Sequence, residues 1–410
     1  MRVLHLATTY PLHDGDSNAA FVAAIAEGLA ARGHDNDVLL PWHPELELAR
    51  PGSGVRLRAF RYSPTRHWHP WGYAQALRGD RELRRDAYLA AGPAALAAWW
   101  QIRRSRHRYD LLHAHWLVPN APIVAAARGN SPMVVSCHGS GVFLAERLGW
   151  AGRLARWALR SSAAVTACSS DLVRRLQSFG AGPVPVRIPY GVHTDRFRPL
   201  EGPARDAVRA RLHRQHGVPA DAPLVLAVGR LVYKKGFDVL IEALPALAAR
   251  VPGAHVVIVG EGPLAGELEQ RARANGAADR LHLIGPAPHV ELPCYYGAAD
   301  VVAVPSVHGP AGNVDGLPNT LLEALASGSP VVASRVAGIP DVLRHDDNGL
   351  LFPEADAGAL AGVLAQLLSD VAARHRIGSA ARADAEANLG WDRVAARFEK
   401  LYEAAVAGGC

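Results

Sequence analysis

Apolar positions along the chain gather into short continuous runs separated by segments with helical spacing, and the two kinds of segment alternate from end to end. In the first half, residues 2–9 (RVLHLATT), 37–41, 110–116 (DLLHAHW), 132–139 (PMVVSCHG) and 163–169 read as strands, and residues 19–32 as a helix. The second half restarts the pattern with strands over 223–230 (PLVLAVGR), 255–260, 281–286, 300–306 (DVVAVPS) and 330–334 (PVVAS), and helices over 237–250 and 263–275. Uninterrupted apolar runs suit strands covered on both faces, as in a parallel sheet sandwiched between helices. The pattern predicts an α/β protein of two doubly wound, Rossmann-like domains facing a central cleft. The Pro- and Gly-rich stretch 182–204 places the hinge near 190–200. The predicted division is 1–195, 196–388 and a terminal helix within 389–410 that packs back toward the N-terminal domain.

Length and composition agree with this division. A chain of 410 residues exceeds one ordinary core, and 49% hydrophobic with 20% charged residues describes a globular protein. No apolar run approaches the roughly 18 residues that span a bilayer, and MRVLHLATTYP turns polar too soon for a signal peptide, so a cytoplasmic location is expected. Four cysteines without CxxC spacing support neither a disulfide framework nor a thiolate metal site. The net charge of +6 hides an asymmetry: residues 1–200 carry 25 basic and 14 acidic side chains, residues 201–410 carry 19 and 24. A basic first half is drawn to anionic lipid or phosphorylated acceptors. No nucleic-acid reader motif accompanies the charge.

The stretch DGLPNTLLEALASG, residues 315–328, sets one carboxylate, Glu323, within an apolar helical run. At helical spacing Asn319, Thr320 and Ser327 lie within about 60° of it, opposite Leu321, Leu322 and Leu325. Helix statistics alone favour a surface helix with its wet side out. The flanking apolar strands argue instead for a βαβ unit, whose helix begins at the strand ends where parallel sheets bind ligands. Pro318 suits the first helical position, and the N–H groups around Leu317, Pro318 and Asn319 favour an anion. In VGRLVYKKG (228–236), Arg230 ends a buried strand and Lys235 precedes the next helix, so both cations fall on that same sheet edge and suit a diphosphate. For the adjacent Lys234 a solvated surface charge is the preferred reading. VGEGPL (259–264) adds a Gly-rich turn, centred on Gly262, of the kind that lets a ligand approach backbone.

GRLVYKKGFDVLIEAL, VGEGPL, ADVVAVPS and DGLPNTLLEALASGSPVVAS, in this order, resemble the donor half of family 4 glycosyltransferases of the GT-B fold. The resemblance runs from about Val3 to Tyr402 and takes in YPLHDGDSNAAF, DLLHAHW, SCHGSGV and IPYGVHTDRF. It implies transfer of a sugar from a nucleotide diphosphate to a hydroxyl acceptor with retention of configuration, without a metal or other cofactor. By the resemblance Arg230 and Lys235 neutralise the leaving diphosphate, Glu323 binds the ribose hydroxyls, and His138 stands beside the donor sugar. Asp315 takes the place of the first acid of a Glu-x7-Glu motif and is one methylene shorter. Gly15 lies near the diphosphate, although the usual Gly-Gly pair is absent, and Asp16 and Ser17 help to define the acceptor pocket. Front-face attack is favoured over a double displacement, for which only Asp315 is nearby in sequence. A UDP-sugar is favoured over GDP-mannose. The alternatives are a GDP-mannose-dependent mannosyltransferase, a GT-B epimerase or phosphorylase, and a non-catalytic sugar-nucleotide-binding scaffold.

His113 and His115 are read as lying on opposite faces of a strand, which gives HAH little value as a metal site; His115 is assigned to packing or acceptor contact. Cys137, beside His138, is read as a small buried residue. RGDRELRR (78–85) puts Arg78, Arg81 and Arg85 on one helical face, and WWQIRRSRHR (99–108) joins two tryptophans to cations. Trp beside Arg suits an interfacial helix as well as an ordinary solvated one, so peripheral contact with an anionic membrane, where a lipid-linked acceptor would reside, is a second expectation.

Overall fold

The computed structural model describes residues 1–408 apart from 17, 66–67, 74–76, 79–81, 84 and 311. Among them the chain forms two compact units, Met1–Gly191 with Trp391–Cys410, and Val192–Gly390.

In the first unit seven strands lie parallel: β1 (Arg2–Leu6), β2 (Asp35–Pro41), β3 (Val55–Phe60), β4 (Leu111–His115), β5 (Met133–Cys137), β6 (Ala164–Ala167) and β7 (Val186–Arg187). Their order is β3-β2-β1-β4-β5-β6-β7. Strand order reverses between β1 and β4, which is where an open parallel sheet leaves a crevice at its carboxyl edge. The second unit has six parallel strands: β8 (Leu224–Val228), β9 (His255–Val259), β10 (Leu281–Leu283), β11 (Val301–Val304), β12 (Val331–Ser334) and β13 (Leu350–Phe352). Their order is β10-β9-β8-β11-β12-β13, so its reversal falls between β8 and β11.

The strands missed by the apolar pattern have plain causes. Val55–Phe60 alternates Val, Leu and Ala with arginine as a sheet-edge strand, Val186–Arg187 has two residues, and Leu350–Phe352 has three. Residues 78–85 do not form one helical face: Leu77–Arg78 and Glu82–Leu83 make an antiparallel ribbon, and a helix begins only at Arg85 and runs to Ser105. Arg81, also assigned to that face, lies outside the described residues. No described helix is long and apolar enough to cross a membrane.

Each unit is centred on its sheet. In the second, Val225, Ala227, Val256, Ile258 and Val332 pack under Leu240, Leu244 and Leu247 of the helix Phe237–Arg250 and Leu360 and Leu364 of the helix Ala357–Ser369. In the first, the helix Trp391–Ala407 inserts Val394, Phe398 and Tyr402 against Val3, Ile25, Leu111 and Val134. The last segment of sequence thus completes the core begun by the first.

Candidate active site

The carboxyl edge at β8 and β11 is followed by three cations, Arg230, Lys234 and Lys235. Arg230 follows β8 by two residues and is exposed. The chain then tightens into a 3₁₀ turn, Tyr233–Lys235, closed by Gly236 at φ +66°. A Cβ on Gly236 would strike the carbonyl oxygen of Pro305, just beyond β11, so glycine is required by both backbone angle and space. That close approach places the lysines beside the β11 loop. Lys235 Nζ lies 2.6 Å from Asp315 Oδ2, and Lys234 Nζ lies 3.0 Å from Asp315 Oδ1.

Lys234 is therefore no solvated surface charge. A single 3₁₀ turn lets two long side chains reach one carboxylate from adjacent positions. Burial by itself would raise the Asp315 pKa, but the two ammonium groups hold it well below the usual carboxylate range. Lys234, Lys235, Asp315 and Arg230 together sum to two positive charges, which match a diphosphate in magnitude.

The helix Asn319–Ala326 begins beside this group. Pro318 is extended and occupies the N-cap, one position earlier than expected, and Leu317 and Pro318 are buried while Asn319 is exposed. The helix is not a surface helix with a wet side: residues 321–327 are all buried, Glu323 and Ser327 included. An acid in such a place needs partners. Tyr296 supplies one, its hydroxyl donating to Glu323 Oε2 at 2.8 Å; His289 Nε2 supplies the other, 2.9 Å from Oε1. Burial first and then the Glu323 charge raise the Tyr296 hydroxyl pKa well above its usual value, so it remains a proton donor. Neither residue stood out in sequence: His289 sits in the connecting stretch PAPHVE and Tyr296 in the short helix Leu292–Ala298, and neither carries a periodic signal.

Gly262 is set by the packing of its turn on the Arg230 loop. A Cβ there would lie 2.5 Å from the carbonyl oxygen of Leu231, and Leu231 N–H donates to Glu261 O at 2.8 Å, so the glycine lets the 259–264 turn pack on the Arg230 loop.

In the first unit His138 follows β5, partly exposed, its ring 4.5 Å from Phe21 and 5.8 Å from Tyr190 between centroids. Behind it His115, His113 and His5 are fully buried. His113 and His115 share a face, their ring centroids 4.1 Å apart, because residues two apart in a strand point the same way. The expectation of opposite faces is corrected on that ground. Of the two roles assigned to His115, its complete burial suits packing, and its nitrogens lie 3.2 Å from His5 and 3.2 Å from His138.

His5, His113 and His115 bring one nitrogen each within 4.8 Å of the others, a spacing a metal could use. Each ring is already engaged at both nitrogens, however: His5 by Asn36 and His115, His115 by His5 and His138, His113 by Ser136 and Tyr402. Burial lowers the pKa of all three, and a metal would have to displace this set.

The loop after β1 is shaped by Asp16, whose Oδ2 accepts from Leu12 N–H at 2.8 Å and whose Oδ1 accepts from Asn18 N–H at 2.9 Å. Its carboxylate thereby holds the shape of the loop. Gly15 is exposed at φ +88°, and Ser17 lies outside the described residues. Cys137 is buried, and burial pushes its thiol pKa far up.

Comparison with known proteins decides the family. The family described as "Glycosyl transferases group 1" matches residues 208–384, and "Glycosyltransferase Family 4" matches residues 19–196. A GDP-mannose-dependent alpha-(1-6)-phosphatidylinositol monomannoside mannosyltransferase of Mycobacterium tuberculosis is 35% identical over 310 residues, covering 73% of this chain and 77% of the relative. The chain belongs to the family 4 glycosyltransferases. Another relative, a D-inositol 3-phosphate glycosyltransferase of Xylanimonas cellulosilytica, is 35% identical over 320 residues, covering 74% of this chain and 73% of the relative. Among solved structures, sucrose-phosphate synthase from Thermosynechococcus elongatus matches with a TM-score of 0.78 at 23% identity, over 100% of both chains. Anabaena HepE in complex with UDP matches with a TM-score of 0.74 at 21% identity, over 98% of this chain and 99% of that one. The fold is GT-B, and this glycosyltransferase is a hexosyltransferase.

Proposed function

We propose that this glycosyltransferase moves a hexose from a nucleotide diphosphate to a hydroxyl of an inositol-containing acceptor, with retention and without a metal. The observation that carries the reading is the convergence of Lys234, Lys235 and the start of the helix Asn319–Ala326 at the point where strand order reverses. As the anomeric C–O bond breaks, its electron pair moves to the phosphate oxygen. Cations and helix N–H groups stabilise that growing charge more than the ground state. The acceptor oxygen attacks from the same face, and its proton passes to the departing phosphate oxygen. Glu323, held by Tyr296 and His289, keeps lone pairs for the ribose hydroxyls; the role of His138 as a neighbour of the sugar is what the family resemblance implies. Sequence motifs alone favoured a UDP-sugar; the 35% identity to GDP-mannose-dependent enzymes makes GDP-mannose the donor proposed here.

The test is release of nucleotide from GDP-mannose and from UDP-glucose, with phosphatidylinositol monomannoside and inositol 3-phosphate as acceptors, and proton NMR of the product's anomeric configuration. GDP-mannose is expected to turn over, and Lys235→Ala to lower kcat by about 100-fold or more. An inverted product, or undiminished turnover in Lys235→Ala, refutes the reading.

A membrane-bound acceptor is supported by the surface of the first unit. The helix Gly149–Arg160 exposes Trp150, Leu154 and Trp157 together with Arg153, Arg156 and Arg160, and contains no acid. The helix Arg85–Ser105 exposes Leu89, Leu96 and Trp100, with the Arg104 guanidinium 4.5 Å over the Trp100 ring. Exposed tryptophan among arginines fits an anionic interface. Sedimentation with vesicles containing phosphatidylglycerol is expected, and with phosphatidylcholine alone is not. Trp150→Ser with Trp157→Ser is expected to weaken it; unchanged sedimentation removes this helix from the reading.

A further inference from the structure

Five side chains of the first unit form one line of hydrogen bonds. Asn36 Oδ1 lies 3.0 Å from His5 Nε2, and His5 Nδ1 lies 3.2 Å from His115 Nε2. His115 Nδ1 lies 3.2 Å from His138 Nε2, and His138 Nδ1 lies 3.0 Å from the Tyr190 hydroxyl. The ring planes of His5 and His115 are 20° apart and those of His115 and His138 11°, with centroids 5.4 Å apart in both pairs, as edge-to-edge N–H···N bonding requires. Burial lowers the His5 pKa to about 4 and that of His138 to about 3, and puts His115 well below its usual value, so all three are neutral at pH 7.

A neutral imidazole has one N–H donor and one acceptor nitrogen, so a line of them has a single direction, fixed by whichever end has no choice. Asn36 is that end. Its Nδ2 lies 3.1 Å from the carbonyl oxygen of His34 and 3.2 Å from that of Ala26. Both can only accept, so the amide must turn its nitrogen toward them and its oxygen toward His5. His5 then donates from Nε2, which leaves its Nδ1 to accept from His115 Nε2–H. His115 Nδ1 in turn accepts from His138 Nε2–H, and His138 Nδ1 accepts from Tyr190.

We infer that Asn36 is a positioning residue that dictates, through His5 and His115, which nitrogen of His138 carries the proton. The N–H of His138 is turned inward, and Nδ1 is the atom it can offer outward. His138 therefore meets a hydroxyl as an acceptor, first that of Tyr190 and, in exchange for it, one on the transferred sugar. Only this last step rests on the reading of His138 as a sugar neighbour; the proton pattern stands apart from it.

The experiment is two-bond proton–nitrogen correlation NMR on the full chain labelled with 15N-histidine, His138 being assigned by the signals lost in His138→Gln. The wild-type protein is expected to show the His138 proton on Nε2; a proton on Nδ1, or exchange between the two, overturns the inference without any variant of Asn36. Asn36→Leu removes the acceptor and is expected to reverse the line, moving the His138 proton to Nδ1 and lowering kcat/KM for the donor about tenfold, the worth of one hydrogen bond. In a His5→Phe background the same change is expected to leave His138 as His5→Phe alone has it. A folded Asn36→Leu protein that keeps the Nε2 proton refutes Asn36 as the determinant. A proton that moves while kcat/KM stays constant supports the line and counts against His138 as a sugar contact.

Discussion

Two lysines closing on Asp315 leave the site charged but internally compensated before any substrate arrives. A diphosphate entering there competes with the carboxylate for the same ammonium groups. Asp315→Asn removes the competitor, and GDP is expected to bind roughly twofold to fivefold more tightly, the range of a partly exposed ion pair; calorimetry that finds equal or weaker binding counts against that competition. Tyr296→Phe tests the other end of the donor site. It takes one donor from Glu323 Oε2 in a buried place, so a loss of about 1 kcal/mol in stability and a higher donor KM with little change in kcat are expected. A donor KM equal to that of the wild type shows that Glu323 keeps its place without Tyr296. At this scale the sequence was readable where a residue type was rare in its setting: Glu323 in an apolar helix, Lys235 in an arginine-rich chain. It was unreadable where partners come from distant segments, as with His289, Tyr296 and the buried His5.

At the scale of elements, ten strands follow from uninterrupted apolar runs because both faces of each sheet are covered, and the helix Phe237–Arg250 follows from its spacing. The helix Asn319–Ala326 is the instructive case. Its polar stripe is real in sequence, yet only Asn319 at its start is exposed, and Glu323 and Ser327 are buried where the helix packs between the sheet and the helix Val371–Asp384. Hydrophobic periodicity reports a face's polarity and leaves open whether water or a partner meets it. Gly236 marks the limit of pattern from the other direction: a turn with a positive φ against Pro305 is what brings Lys234 and Lys235 to Asp315. Gly236→Ala meets both the backbone angle and the carbonyl, so a loss of about 2 kcal/mol or more is expected. The urea midpoint should fall and donor turnover with it. A variant as stable and as active as the wild type shows that the turn is not under this constraint.

For the whole chain, the buried histidines tie stability to pH in a window set apart from that of the acids. His5 is fully buried, and burial takes its pKa from 6.5 down to about 4, against the opposing pull of the Asn36 hydrogen bond and the Asp37 charge. As pH falls below 6.5 the unfolded chain takes up a proton on this histidine and the folded chain does not until about pH 4. The unfolded state binds more protons throughout that interval, so stability falls as pH falls, by about 3 kcal/mol for His5 alone. His113 and His115 add to it in the same direction. Asp300 and Asp315 behave otherwise: their depressed pKa values leave their contribution intact until the pH drops below 3.8, the ordinary value. Because Tyr402 of the last helix closes on His113 at 2.6 Å, the loss should appear in the unit that joins the two ends of the chain. Urea unfolding followed by tryptophan fluorescence at several pH values between 7.5 and 4.5 is expected to show a midpoint that falls steadily, and His5→Gln to flatten the fall. A midpoint that holds level down to pH 4.5 means that these imidazoles already carry protons in the folded protein, and with that the single-direction line from Asn36 to His138 is lost as well.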